Sequence, residues 1–207
     1  AEWPAETKLV WLNSPGNPDG RVLSTDELKA AVARARELGA IVVSDECYAE
    51  LAWEGELPTP SILDPRVIAG QRNSVLAVYS LSKQSNLAGY RAGFVAGCSD
   101  LIDELLAVRK HVGLIPPAPV QAAMIAALGD DEHVAAQREL YRARRDRLKP
   151  ALESAGFAST TAKPGSTCGL RAVATRGRRF RSLPIWASSS CRETSTATPL
   201  PSTCALR

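Results

Sequence analysis

Two uninterrupted apolar runs, Ala40 to Ser44 (A-I-V-V-S) and Val75 to Tyr79 (V-L-A-V-Y), limit the folds open to this chain. A strand with one wet face alternates apolar and polar residues. A strand covered on both faces need not, and such strands belong to parallel sheets flanked by helices. Each run ends on polar residues, Asp45-Glu46 and Ser80. Ser24-Thr-Asp-Glu27 has the spacing of a capping box. It predicts a helix to about Leu38, with Leu28, Val32 and Ala35 on one face and Gly39 placed to end it. Lys8 to Asn13 reads as another short buried strand, followed by a Pro- and Gly-rich stretch from Ser14 to Gly20. Arg91 to Gly97 reads as a further strand. Ser99 is placed to cap a helix through about Lys110, and Pro116 to Pro119 forms a rigid connector into a helix over about Val120 to Leu128. Asp130 to about Ala155 reads as a long charged helix, bent near Pro150 and stopped by Gly156. Strands alternating with helices predict an α/β fold with a mostly parallel sheet.

Composition narrows the function. The chain's 207 residues suffice for one domain with a sizeable core, and no apolar run is long enough to span a bilayer, so no membrane partner is expected. The chain opens on Ala1 in mid-pattern, which predicts that residues precede it. Of its 25 basic and 22 acidic residues, eight basic and one acidic lie from Ala158 onward. The remainder is mildly acidic and carries no basic stripe of the kind duplex binding needs, so no nucleic acid is expected. Cys47, Cys98, Cys168, Cys191 and Cys204 form no C-x-x-C pair, and there are only two histidines. That pattern predicts no metal site, and free thiols in a reducing, cytoplasmic compartment.

In an α/β domain, polar groups become useful where strands end and loops can hold a ligand over the sheet edge. Asn17, Asp45, Ser80 and Lys83 follow strand ends, and Arg91 opens the next predicted strand. Singly, each has an ordinary reading: Asn17 a turn residue, Asp45 a helix cap, Tyr48 a half-buried aromatic, Lys83 a solvated lysine and Arg91 one half of a surface ion pair. Their order says more. N-S-P-G-N-P-D-G (Asn13 to Gly20) is followed by D-E-x-Y (Asp45, Glu46, Tyr48), then S-L-S-K (Ser80 to Lys83), then G-Y-R-A-G (Gly89 to Gly93). Over roughly the first 157 residues this series resembles the class I/II aminotransferases, the fold-type-I pyridoxal-phosphate (PLP) enzymes. Asp19 departs from it, standing where that family usually has Thr.

The resemblance implies a role for each residue. Lys83 would bond the PLP aldehyde and then move the substrate α-proton. Asp45 would keep the ring nitrogen protonated. Asn17 and Tyr48 would donate hydrogen bonds to the ring oxygen. Ser80, Ser82 and Arg91 would hold the phosphate, a dianion suited to guanidinium. The wording of the loops and of Pro116 to Pro119 is similar to actinobacterial succinyldiaminopimelate aminotransferases, which implies small-molecule amino acid and 2-oxo acid substrates, glutamate as donor, lysine biosynthesis and a homodimer. A PLP-dependent C–S lyase of the same fold, or the PLP-binding effector domain of a transcription regulator, would share the same cofactor residues. The resemblance also implies parts that lie outside this chain: a phosphate-binding turn and a ring-stacking aromatic upstream, and a carboxylate-clamping arginine near the C-terminus of the small domain.

Residues 1–113 thus read as a partial PLP-binding large domain, and 114–157 as helices leading into the small domain. From Ala158 both periodicities vanish. Ala158 to Gly169, read from the third base of suitable codons, can spell I-D-H-S-E-A-G-L-Y-L-W-A. Ala187 to Arg207, in the same frame, can spell I-L-V-V-P-G-D-F-Y-G-D-A-A-A-E-H-V-R-V-A. Both resemble the family's small domain, so 158–207 is expected to be frame-shifted and unstructured.

Overall fold

The computed structural model describes residues 3–53 and 59–156, and the strand stretches 158–159, 170–171 and 204–206. Strand β1 (Leu9–Asn13), β2 (Ile41–Asp45) and β3 (Val75–Ser80) are parallel neighbours in one sheet. The register pairs Asn13 with Asp45 and Asp45 with Val78, so the three strands deliver their C-terminal residues to one edge. The two apolar runs are the inner strands. Val42, Val43 and Ser44 are all buried, as are Val75, Leu76 and Ala77, which is what strands covered on both faces require.

Helix α1 (Thr25–Glu37) supplies the cover on one side. Its capping box forms: the Ser24 hydroxyl accepts from the Glu27 amide, and the Glu27 carboxylate accepts from the Ser24 amide. Leu28, Val32 and Ala35 are fully or almost fully buried against Val10, Leu12, Val42, Val75, Ile62 and Val67. Burying a Leu, Ile or Val side chain stabilises by about 1.5–3 kcal/mol, and this layer buries several of them. The helix ends at Leu38, and Gly39 adopts φ +62°. A short helix, α2 (Pro65–Ile68), packs against α1; it begins on Asp64, whose side chain accepts from the Arg66 amide.

The predicted strand from Arg91 to Gly97 starts later, as β4 (Gly93–Gly97), and runs antiparallel to β3. Glycine is needed there. A side chain at Gly93 would place its Cβ 2.7 Å from the Tyr79 carbonyl oxygen, and one at Gly97 would meet the Val75 carbonyl oxygen. Between β3 and β4 lies a single helical turn, α3 (Leu81–Gln84).

Three longer helices follow: α4 (Ser99–His111), α5 (Ala118–Leu128) and α6 (Asp131–Ser154), the last with Pro150 inside it. Cys98, not Ser99, is the N-cap of α4; the Ser99 hydroxyl donates instead to Asp100 Oδ1. None of the three helices has a buried residue, and Leu106, Val108, Val112, Leu114 and Ile125 are exposed. No helix among the described residues is long and apolar enough to cross a membrane.

Most of the stretch expected to be unstructured, 158–207, lies outside the described residues. Its described parts are strands. β5 (Ala158–Ser159) pairs with β6 (Leu170–Arg171), and β7 (Cys204–Leu206) adds antiparallel to β1, giving the main sheet the order β4-β3-β2-β1-β7.

Candidate active site at the strand ends

The parallel register builds the site. β1 runs into a loop whose start is anchored by the Ser14 amide on the Asp45 carbonyl (3.0 Å) and the Leu23 amide on the Ser14 hydroxyl (2.9 Å). That loop carries Asn17, whose side-chain amide donates to the Tyr48 hydroxyl at 3.4 Å. Tyr48 lies three residues beyond the end of β2 and precedes a 3-10 turn, Ala49–Leu51. The ring of Tyr48 in turn faces Lys83, whose Nζ lies 6.0 Å from the ring centroid. Asn17, Tyr48 and Lys83, separated widely in sequence, therefore converge.

Asp45 closes β2. Its Oδ1 accepts from the Cys47 amide (3.2 Å) and the Cys47 thiol (2.7 Å). Burial, then the bond to Asp45, pushes the Cys47 thiol up to about 12, so it stays protonated and serves as a donor. Glu46, 6% exposed, points into the interior, and its carboxylate accepts from the Ile62 amide at 2.7 Å. Burial raises its pKa despite that bond.

Ser80 ends β3 and caps α3. Its hydroxyl accepts from the Ser82 amide (3.2 Å) and lies 2.8 Å from the Ser82 hydroxyl and 3.3 Å from the Ala92 carbonyl. Arg91 does not join this pair. It is exposed, has φ +54°, and its guanidinium donates to the Ala88 carbonyl at 3.1 Å. Its backbone is nevertheless near, because Gly93 pairs with Ser80.

Sequence reasoning missed Cys47 and Glu46 as partners of this region, although both lie within D-E-C-Y. It also missed a chain from α6 to α3: His133 Nδ1 lies 3.1 Å from Asp130 Oδ2, and His133 Nε2 lies 2.9 Å from the Ser85 hydroxyl. No local pattern could reveal a contact across 48 residues. A separate cavity of about 570 Å³ is lined by Glu46, Glu50, Tyr79, Gln84, Asp131 and Arg138 among others, and by none of the residues nominated from sequence.

The donor set fits PLP. It combines an amine for an aldehyde, a carboxylate for a basic ring nitrogen, amide and phenol groups for a ring oxygen, and a pair of hydroxyls for an anion, with the Arg91 guanidinium held apart on Ala88. Asn13 Oδ1, at the end of β1 beside Asp45, is buried without a partner. That leaves an acceptor at the same edge. No group of three or more His, Cys, Asp or Glu side chains that could hold a metal ion occurs among the described residues.

The profile described as aminotransferase class I and II matches residues 2–168. A Mycobacterium tuberculosis H37Rv protein named Probable aminotransferase Rv1178 is 54% identical over 183 residues, covering 88% of this chain and 42% of that protein. The 4-dedimethylamino-4-oxo-anhydrotetracycline transaminase OxyQ of Streptomyces rimosus is also 54% identical, over 179 residues, 86% of this chain and 47% of that one. Among solved structures, the N-succinyldiaminopimelate aminotransferase of Mycobacterium tuberculosis superposes with a TM-score of 0.68 at 31% identity, covering 80% of this chain and 42% of its own. The chain thus spans less than half the length of the proteins it matches.

Proposed function

Because this chain belongs to the class I and II aminotransferases, a PLP-dependent family, we propose that it carries the cofactor-lysine portion of an enzyme that moves an amino group between an amino acid and a 2-oxo acid. The observation that carries the reading is the convergence of Asn17, Tyr48 and Lys83 beside Asp45 and the Ser80–Ser82 pair at one sheet edge.

PLP, when bound, supplies an aldehyde for amine exchange and a ring that delocalises the electron pair left by a broken Cα–H bond. The chain's own residues do the rest. Lys83 Nζ would hold the cofactor through its amine and would be the base for the substrate α-proton. Asp45, with one oxygen occupied by Cys47, has a second oxygen to hold a proton on the ring nitrogen. Asn17 and Tyr48 present an amide and a phenol to the ring oxygen. Ser80 and Ser82 would offer hydroxyls to the phosphate, and Arg91 would add its charge only by leaving the Ala88 carbonyl. In this reading residues 1–113 form the cofactor face, 114–157 lead to the small domain, and the stretch from 158 is out of frame.

For the substrate, N-succinyl-diaminopimelate with glutamate as donor is the reading supported by the loop wording and by the solved relative of that name. A second reading has a specific basis: OxyQ, at 54% identity, is named a 4-dedimethylamino-4-oxo-anhydrotetracycline transaminase, so a 4-oxo-anhydrotetracycline is a second acceptor class. The test is amino transfer from glutamate in the complete protein, with the two acceptor classes compared by kcat/KM. Transfer to neither, with cystathionine cleaved instead, would replace the reading with a lyase.

A further inference from the structure

The turn that carries Lys83 is too short to hold its own geometry. A single helical turn fixes several residues' dihedrals for very few hydrogen bonds, so its orientation must come from neighbours. At its start, α3 is held by the Ser80 cap and by Leu81, which is fully buried. At its end, Ser85 is the C-cap, and its amide donates to the Leu81 carbonyl at 3.2 Å. The Ser85 hydroxyl also meets His133 Nε2 at 2.9 Å.

His133 is itself fixed. Asp130 caps α6: its Oδ1 accepts from the Glu132 amide (2.9 Å) and the His133 amide (3.3 Å), while Oδ2 lies 3.1 Å from His133 Nδ1. A carboxylate on Nδ1 keeps the proton there and leaves Nε2 facing Ser85. Because a serine hydroxyl can donate or accept, the bridge survives either charge state of the ring. The order Asp–His–Ser is also that of an activated serine. Ser85, however, does not line the cavity beside it, whereas its neighbour Gln84 does. The geometry therefore suits holding rather than attack.

We propose that His133 is a positioning residue for Lys83: anchored by Asp130, it clamps Ser85 and so fixes the C-terminal end of the turn that presents the amine. The proposal rests on the reading of Lys83 as the cofactor lysine, and it makes the docking of α6 a condition for that lysine's geometry.

Two readouts on the 207-residue chain test it. The first needs no cofactor. In His133→Ala, amide hydrogen exchange at Ser85 and Leu87, both bonded to the Leu81 carbonyl, should speed at least tenfold, with exchange in α1 unchanged. The second is the rate at which added PLP becomes borohydride-fixed to Lys83, which should fall at least fivefold in His133→Ala. Ser85→Ala removes the same bond from the other end, so each single variant and the double variant should coincide. His133→Gln, which offers an amide to Ser85, should restore most of the rate. Glu139→Ala, on the same helix, should change neither readout. Exchange and capture indifferent to His133, or effects of the two substitutions that simply add, would overturn the proposal. Exchange that depends on His133 in a chain that never captures PLP at Lys83 would instead sink the cofactor reading and leave the clamp standing.

Discussion

Lys83 and Asp45 divide the expected chemistry at the scale of single residues. Lys83→Ala should abolish PLP's covalent capture and its visible absorbance while leaving far-UV dichroism unchanged; a solvated lysine would show no such loss. Asp45→Asn should retain cofactor yet lower turnover by roughly 100-fold or more, the size of effect seen when a preorganised charge-stabilising group is lost. Arg91→Leu should weaken cofactor retention by roughly 10- to 150-fold if its guanidinium reaches the phosphate, the loss of a charge-assisted contact worth ~1.5–3 kcal/mol; unchanged retention would show that its guanidinium stays with Ala88. Glu46 supplies a pH test. Its raised pKa means that the folded chain binds the proton more tightly than the unfolded chain. The stability it contributes is present below the ordinary carboxyl range and is lost as pH rises through the raised folded value. Glu46→Gln keeps an acceptor for the Ile62 amide and removes the charge. Denaturation across that window should show wild-type stability falling relative to the variant's as pH rises; parallel curves would contradict this.

At the scale of elements, α1 carries the core. Leu28→Ala should cost about 2–5 kcal/mol, the range for buried leucines, and Ser24→Ala about 1 kcal/mol through loss of the capping box. Urea denaturation of the two variants checks both. If Ser24→Ala proved the costlier, the core would lie elsewhere. The capping box, the helix through Glu37 and the two inner strands were legible in the sequence because each is written locally, in a cap spacing or an apolar run. Other features were not. The antiparallel direction of β4 follows from how it meets β3, and the clearest mark is glycine at Gly93 and Gly97, which also occurs in ordinary turns. Arg91 was placed at a strand start, but a left-handed residue before β4 turns its side chain to solvent. Motif order located the candidate site, whereas the bonds that hold it, Asn17 to Tyr48 and Ser85 to His133, join residues too distant for any spacing rule.

The whole molecule is uneven. One half is packed around α1 and the sheet, whereas α4, α5 and α6 have no fully buried residue, and Leu106, Val108, Val112, Leu114 and Ile125 in this region are exposed. Apolar surface of that kind drives association. Sedimentation should find the chain self-associated at micromolar concentration, and Leu106→Glu with Ile125→Glu should shift it toward monomer; a dilution-independent monomer would contradict this. The central claim is that a class I and II aminotransferase cofactor site is assembled around one lysine at the sheet edge. The most direct measurement is incubation with PLP, borohydride reduction and peptide mapping of the modified residue. A single dominant adduct should form on Lys83 and be lost in Lys83→Ala. An adduct spread over several lysines, or one that persists elsewhere with normal amino transfer after Lys83 is removed, would contradict it.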